Sequence, residues 1–340
     1  MPSRRPRTAA PALTSMMVVI VLLSLPVDAL AYDVWTAPYD GVRHLHRVRG
    51  TFDVHAVLID LTSSGVSVVA TRPEDRYLTV RDFATRYDAS IAVNANYFDS
   101  NAKSCGLAAG DGEVWSDSYE EGCAMSIGFG RLNEALPFES SGEVCGPLPE
   151  PWMTDVVSGK PWLVREGVVQ GGWAAPRHIL YGHPRTAIGL SEDRQTLILV
   201  VCDGRRDGVP GMNGDQLAQL MLELGGYDAL NLDGGGSSEL FIRSESGVQN
   251  RPSDGHARYV ATHFGVRTRP MLRWLASAQQ PVRASLGPAE LSPSERLARL
   301  EATLPESRAP ERPRGVRGLA WAWSGAGAAA RAAAALAPAR

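Results

Sequence analysis

Four side chains in the middle of the chain have the types needed to work on an anionic substrate: Arg185, Asp203, Arg205 and Asp233. Thr186–Leu190 and Thr196–Cys202 read as two strands joined by Ser191-Glu192-Asp193-Arg194, a loop of hairpin length. Pairing across that loop sets Arg185 opposite about residue 200 and collects Arg185, Asp203 and Arg205 at the open end. A further strand, Tyr227–Asp233, places Asp233 at its C-terminal end, directly before Gly234-Gly235-Gly236-Ser237-Ser238. Strand ends are where loops are free to shape a cleft. Two carboxylates and two guanidinium groups there suit acid–base or nucleophilic chemistry on an anion.

The glycine run offers backbone N–H groups to an anion, with two hydroxyls beside them; the alternative is a tight turn between strands. It is not a Walker loop, because no Gly-Lys-Ser/Thr follows. Gly235-Gly236-Ser237-Ser238-Glu239 also lacks the last glycine of a nucleophile elbow. Asn94-Ala95-Asn96 ends another strand, and two amides at that spacing can share a face and bind sugar hydroxyls or phosphate. Arg251, in the turn Asn250-Arg251-Pro252-Ser253-Asp254-Gly255, is a candidate anion contact. His44 and His46 share a strand face but read as an exposed pair and not as metal ligands, and no cofactor is expected; Asp233 as a metal ligand stays open as an alternative.

The elements that must position these groups follow from hydrophobic patterning. Val54–Asp60 and Val66–Ala70 are apolar, β-branched runs on either side of Ser63-Ser64-Gly65, a pattern that predicts a hairpin. Val80–Asp88 predicts a short helix, followed by the strand Ser90–Asn94. Residues 101–151 read as loop-rich, and Val164–Val169 as a strand. Gly214–Leu224 has Leu217, Leu220, Met221 and Leu224 on one helical face, with Asn213 to cap it and Gly225-Gly226 to end it. Glu239–Ile242 and Val260–Val266 complete the strands.

Composition bounds the class. The chain has 340 residues, 44% hydrophobic and 21% charged, which is globular rather than disordered. No apolar run reaches about 18 residues, excluding a polytopic membrane protein. The net charge of −3 is uneven: three Arg and one Asp precede Tyr32, and ten Arg and five Glu follow Pro270, so the body is strongly acidic. An acidic body argues against nucleic acid as a partner. Residues 1–31 have a basic start (Arg4, Arg5, Arg7), an apolar stretch Met16–Val27 and the small-x-small site Ala29-Leu30-Ala31. They read as a signal peptide for a secreted, periplasmic or envelope protein with no stable membrane span after cleavage. Outside the cytoplasm the four cysteines favour disulfides, with Cys105–Cys123 the first pair to expect. Residues 32–269 form the domain, and the Ala/Pro/Arg-rich residues 270–340 read as a disordered tail.

Several motifs occur in a fixed order: Asn94–Phe98, Pro184-Arg185-Thr186-Ala187-Ile188-Gly189, Asp203-Gly204-Arg205, Asn231-Leu232-Asp233-Gly234-Gly235-Gly236-Ser237-Ser238 and Asn250-Arg251-Pro252-Ser253. Together they resemble the phosphodiester glycosidase domain family over about residues 42–267. The resemblance implies hydrolysis of a sugar C1–O–phosphate bond, releasing free sugar and a phosphomonoester, with a phosphorylated saccharide or cell-envelope glycan as substrate. With the predicted elements it implies an α+β fold: a single domain on a mixed, largely antiparallel β-sheet with packing helices. In such a reaction Asp233 is the expected nucleophile or base and Asp203 its acid/base partner. Arg185 and Arg205 are expected to clamp the phosphate, with Arg251 as a further contact. Asn94, Asn96, Asn231, Gly234, Gly235, Gly236, Ser237 and Ser238 are expected to hold sugar or phosphate oxygens. Two competing readings are a phosphodiesterase that breaks the P–O bond, which the scarce histidines disfavour, and a non-catalytic phosphosugar-binding protein.

Overall fold

The computed structural model describes residues 31–115, 125–139, 148–172 and 177–269. Residues 1–30 of the predicted signal peptide, the tail and Cys123 with Cys145 lie outside these residues. In chain order the elements begin with β1 (Tyr32–Tyr39), β2 (Val42–Arg49), β3 (Phe52–Asp60), β4 (Ser67–Ala70), α1 (Val80–Arg86) and β5 (Ile91–Asn94). They continue with β6 (Ala109–Gly110), β7 (Glu113–Val114), β8 (Met125–Gly130), β9 (Ala135–Glu139), β10 (Met153–Gly159), β11 (Trp162–Arg165) and β12 (Val168–Val169). The last are β13 (Arg185–Leu190), β14 (Thr196–Cys202), α2 (Gly214–Glu223), β15 (Asp228–Asn231), β16 (Leu240–Ile242), β17 (Gly247–Val248) and β18 (His263–Arg267).

An eight-stranded sheet runs β1-β2-β3-β14-β13-β15-β11-β12, and a five-stranded sheet runs β17-β16-β5-β18-β4. A second five-stranded sheet, β7-β6-β10-β8-β9, holds the segment expected to be loop-rich. The ladders among the described residues are antiparallel, so the protein is richer in β-structure than the expected α+β fold and has only two described α-helices.

The large sheet is apolar on both faces, and that dictates the layering. On one side Val57, Ile59, Ile188 and Leu199 meet Ile91, Val93 and Phe264 of the five-stranded sheet. On the other, Val54, Ala56 and Val200 pack against Leu217 and Met221 of α2. The outer face of the five-stranded sheet is covered by Phe83 and Ala84 of α1. Each fully buried Leu, Ile, Val or Phe in these layers contributes about 1.5–3 kcal/mol. The α2 capping matches expectation: Asn213 accepts from Gln216 N at 2.9 Å, and Gln216 Oε1 accepts from Asn213 N at 3.0 Å.

Two expectations are corrected. β3 and β4 do not form a hairpin; β3 pairs with β2 and β14, whereas β4 pairs with β18 in the other sheet. Six consecutive residues of β3, Val54 through Ile59, are buried or nearly so, and such a strand needs a neighbour on each edge. The β13–β14 hairpin does form, but Arg185 lies opposite Cys202 rather than residue 200. Ser191 N donates to Thr196 O at 3.0 Å and closes the loop, and Leu190 pairs with Leu197, a register two residues later on β14 than expected.

Candidate active site

Asp233 follows β15, and both sheets hold its backbone. Its N–H donates to Ala95 O at 2.9 Å, its carbonyl accepts from Asn94 Nδ2 at 2.6 Å, and Leu232 N donates to Thr186 O at 2.9 Å. The other end of the Asn94 amide accepts from Thr186 Oγ1 at 2.7 Å and Glu239 N at 3.3 Å. Asn94 is fully buried, so its amide positions Asp233 instead of facing a ligand. Asn96 is likewise consumed: Nδ2 donates to Ser104 Oγ at 2.9 Å and Leu107 O at 3.1 Å, and Oδ1 accepts from Ser158 N at 2.8 Å. Asn231 Nδ2 donates to Tyr97 Oη and to Lys160 O, both at 2.7 Å, which sets the phenol beside Asp233.

The glycine run does not spread its amides toward solvent. Gly234 N donates to Asp233 Oδ1 at 2.8 Å, Gly235 N to Pro184 O at 2.9 Å, and Ser238 N to Gly235 O at 3.2 Å. The glycines instead make room for what lies against them. A side chain at Gly234 would meet Pro184 O at 2.8 Å. Gly235, at φ +64°, lies under the Arg205 guanidinium, 2.9 Å from where a Cβ would stand. A Cβ on Gly236 would overlap the Arg258 guanidinium and the Asp254 carboxylate. Two guanidinium groups from different loops thus rest on the turn that follows Asp233. Arg258 is fixed there by Nη1 donating to Ser237 Oγ at 3.2 Å and Nε donating to Asp254 Oδ2 at 2.9 Å.

These surroundings set the acidity of Asp233. Burial raises its pKa to about 6, against the lowering pull of Ser237, the Gly234 N–H and the charges of Arg258 and Arg205. A carboxyl of that kind is largely ionised at neutral pH and close enough to its pKa to exchange protons.

Asp203 is placed differently. It is 1% exposed and both oxygens are engaged. Oδ1 accepts from Arg251 N at 2.9 Å and Asn250 Nδ2 at 3.2 Å, and Oδ2 accepts from Arg206 Nη2 at 2.7 Å. Burial raises its pKa, opposed by these same bonds. Asn250 Nδ2 also donates to Ser238 O at 2.9 Å, so the Asp203 cluster braces the far end of the glycine turn.

The arginines separate in the same way. Arg185 is 2% exposed and turned inward: Nε donates to Met212 O at 2.9 Å, and Nη2 donates to His178 O at 2.6 Å and Tyr181 O at 2.8 Å. Nη2 thus holds the 178–181 turn, and Nε holds the carbonyl of Met212. Arg205 is exposed, at φ +55°, with Nε 3.4 Å from His183 Nδ1. Arg251 is exposed, tied to Asp203 through its backbone only.

The sequence reading missed Arg258, Tyr97, His178 and Arg206. Tyr97 Oη lies 3.4 Å from His178 Nε2, whose pKa is lowered by burial and then by Arg185. Arg206 links Asp203 to Asp53, and Asp53 Oδ1 pairs with His46 Nε2 at 2.9 Å. The one available signal for Arg258 was the triple glycine itself, which implies something bulky pressed against the backbone.

His44 and His46 are not a simple exposed pair. His44 is buried between Glu245, at 2.5 Å from Nδ1, and His55, at 3.0 Å from Nε2. His46, Asp53 and His55 bring one ligand atom each within 4.8 Å of one another, the described group closest to a metal shell. The His46 and His55 rings lie 4.2 Å apart and 9° from parallel, however, and nitrogens of stacked rings do not converge on one ion. A groove of about 590 Å³ between the β2–β3 turn and α2 includes Phe52, Met212 and Leu220 in its lining. Its Arg47 is neutralised by Asp33 and Glu223, leaving no group there with the environment of Asp233.

The sequence profile of the phosphodiester glycosidase family matches residues 87–267, a span that contains Asp203, Asp233 and the glycine turn. The chain belongs to this family. It is 27% identical over 228 residues to the mouse N-acetylglucosamine-1-phosphodiester alpha-N-acetylglucosaminidase, covering 62% of this chain and 41% of that protein. It is 29% identical over 195 residues to the SPbeta prophage-derived uncharacterized protein YomE of Bacillus subtilis (strain 168), covering 54% of this chain and 28% of that protein. The chain therefore spans less than half the length of these curated relatives. In fold it is similar to the zebrafish N-acetylglucosamine-1-phosphodiester alpha-N-acetylglucosaminidase catalytic domain auto-inhibited by its pro-peptide. That likeness has a TM-score of 0.53 and 23% identity, over 70% of this chain and 82% of that one. A hypothetical protein from Synechocystis gives a TM-score of 0.52 at 17% identity, over 70% and 64% of the two chains. No described helix is long and apolar enough to cross a membrane.

Proposed function

We propose that this protein is an exported hydrolase that cleaves the sugar C1–O bond of a sugar-1-phosphodiester, with a sugar of the N-acetylglucosamine type. Its products are the free sugar and a phosphomonoester. The observation that carries this reading is Asp233, with a pKa raised to about 6, beneath two guanidinium groups that the glycine turn admits. As C1–O breaks, positive charge builds at C1 and the bonding pair leaves with the phosphate. Asp233, as nucleophile or base, answers the first charge; Arg205 and Arg258 neutralise the second. Phosphate is already a good leaving group, so the reaction does not depend on a strong acid. Asp203, with every oxygen engaged, serves by bracing Arg251 and the end of the turn through Asn250. Arg185 shapes the wall that carries His178. Arg251, exposed at the same loop cluster, extends the cationic surface toward a larger phosphorylated glycan.

Export rests on the leader-like residues 1–31 and agrees with Cys105, which is disulfide-bonded, whereas Cys202 is a free, buried thiol. The test of the reaction is hydrolysis of an N-acetylglucosamine-α-1-phosphodiester in oxygen-18 water, with mass spectrometry of both products. Label in the sugar is the expected result. Label in the phosphate would mean P–O cleavage and a different class of enzyme. No turnover across a panel of sugar-1-phosphodiesters would leave a phosphosugar-binding protein.

A further inference from the structure

β1 stands at one end of the eight-stranded sheet, and among the described residues only β2 lies beside it. Its register with β2 is unbroken from Tyr32 to Thr36 and shifts only before Tyr39, where Pro38 also falls. Tyr32, Val34 and Trp35 are 42%, 49% and 45% exposed. Edge strands are ordinarily kept short or guarded by lysines, prolines and bulges. Here the proline and the irregularity come after Thr36, and no lysine guards the residues before it.

The ladders fix which backbone groups of β1 point away from the sheet. Asp203 N donates to Asp53 O and Asp60 N to Gly41 O, so odd residues of β3 bond β14 and even ones bond β2. By the antiparallel alternation, the even residues of β2 then bond β1, through Tyr32, Val34 and Thr36. The N–H and C=O groups of Asp33 and Trp35 are thereby turned to the open edge. Charge does not guard that edge either. Asp33, the one charged residue of β1, pairs with Arg47 at 2.8 Å and Arg49 at 2.9 Å, and these hold its carboxyl below the usual range. Arg47 also pairs with Glu223 at 2.9 Å, so the cluster is neutralised within the chain.

We propose that β1 is a dimerisation edge: two copies of the chain pair these strands antiparallel about Val34 and join their eight-stranded sheets. Around a two-fold axis at Val34, Asp33 of one copy lies opposite Trp35 of the other, and their outward backbone groups exchange both hydrogen bonds. The same exchange repeats on the far side of the axis. Val34 then faces Val34 of the second copy in a closely spaced pair, and Tyr32 faces Thr36. Opposed residues share a face of the joined sheet, as antiparallel pairing requires. The two Asp33 carboxylates enter already paired with arginines, so identical copies meet without bare like charges. β1 precedes residues 87–267, the span that matches the family profile, and the proposal does not depend on the phosphodiester reading.

The test is sedimentation velocity on the full chain. At about 100 µM the wild type should be dimeric. Val34→Glu and Val34→Lys each set like charges directly opposite across the axis and should be monomeric, while their equimolar mixture should pair again. Trp35→Pro removes a donor from the open edge and none from the ladder to β2. It should therefore melt like wild type by circular dichroism and weaken the dimer by about tenfold or more. A wild-type monomer at the same concentration overturns the proposal. A dimer that survives either Val34 substitution, or that Trp35→Pro leaves untouched, puts the interface elsewhere and overturns it too. So does a mixture of the two charge variants that stays monomeric.

Discussion

Asp203 and Asp233 both follow a strand of the large sheet, yet their surroundings are built for different ends. Around Asp203 both oxygens are engaged, by an arginine, an asparagine amide and a backbone N–H, and the residue is shut away from solvent. Around Asp233 the protein supplies a serine, one backbone N–H and two guanidinium charges; burial outweighs the opposing bonds at both carboxylates, and at Asp233 it raises the pKa to about 6. On the proposed reading, the saturated carboxylate is a strut and the less saturated one, in its cationic setting, is the reagent. The two are joined by Asn250, which bonds Asp203 with the same amide nitrogen it uses on Ser238.

Substitutions should break this contrast in a graded way. Asp233→Asn should lower kcat/KM for the phosphodiester by on the order of 10³-fold or more, with a circular dichroism melt close to wild type. Gly236→Ala should displace the Arg258–Asp254 pair and reduce kcat/KM by about 10–100-fold, with a smaller loss on a neutral aryl glycoside. Equal losses on both substrates would argue against Arg258 as a phosphate contact. Asp203→Asn should cost about 2–4 kcal/mol in urea unfolding, because it strips Arg206 of a buried partner, while molecules that stay folded lose less than tenfold in turnover. Arg185→Ala should likewise act on stability, not on the preference for a charged substrate.

Glu239 gives the mildest test. It is 2% exposed, its Oε1 has no partner among the described residues, and burial raises its pKa to about 7. The folded state binds this proton more tightly than the unfolded state does. Stability is therefore highest below the ordinary glutamate value and declines as pH rises through about 7. Glu239→Gln should add about 1–3 kcal/mol at pH 8 and almost nothing at pH 4, read from denaturant midpoints.

The sequence made local features legible and distant ones not. The α2 cap could be read because Asn213 and Gln216 are three residues apart. Asp233 could be placed because a strand pattern stops at it and glycines follow. Asn94 and Asn96 have the right types for sugar binding, but the Thr186 hydroxyl and buried backbone groups of Glu239, Leu107 and Ser158 bond them, and no local pattern reveals that. The β3–β4 turn looked like a hairpin because turn chemistry says where a chain reverses, not which sheet it joins. Arg258 escaped notice because its seat, Gly236, lies on a different loop 22 residues earlier. The strand end places Arg185 near the site, but its bonds to the carbonyls of Met212, His178 and Tyr181 come from other loops that no local pattern reveals.

The most direct test of which carboxylate does the chemistry is the pH dependence of kcat/KM for wild type and Asp203→Asn on one phosphodiester. Protonation of Asp233 should impose an acid limb near pH 6, and the limb should stay there in Asp203→Asn. A limb that disappears or moves by more than a unit in Asp203→Asn would make Asp203 the titrating group and contradict the assignment.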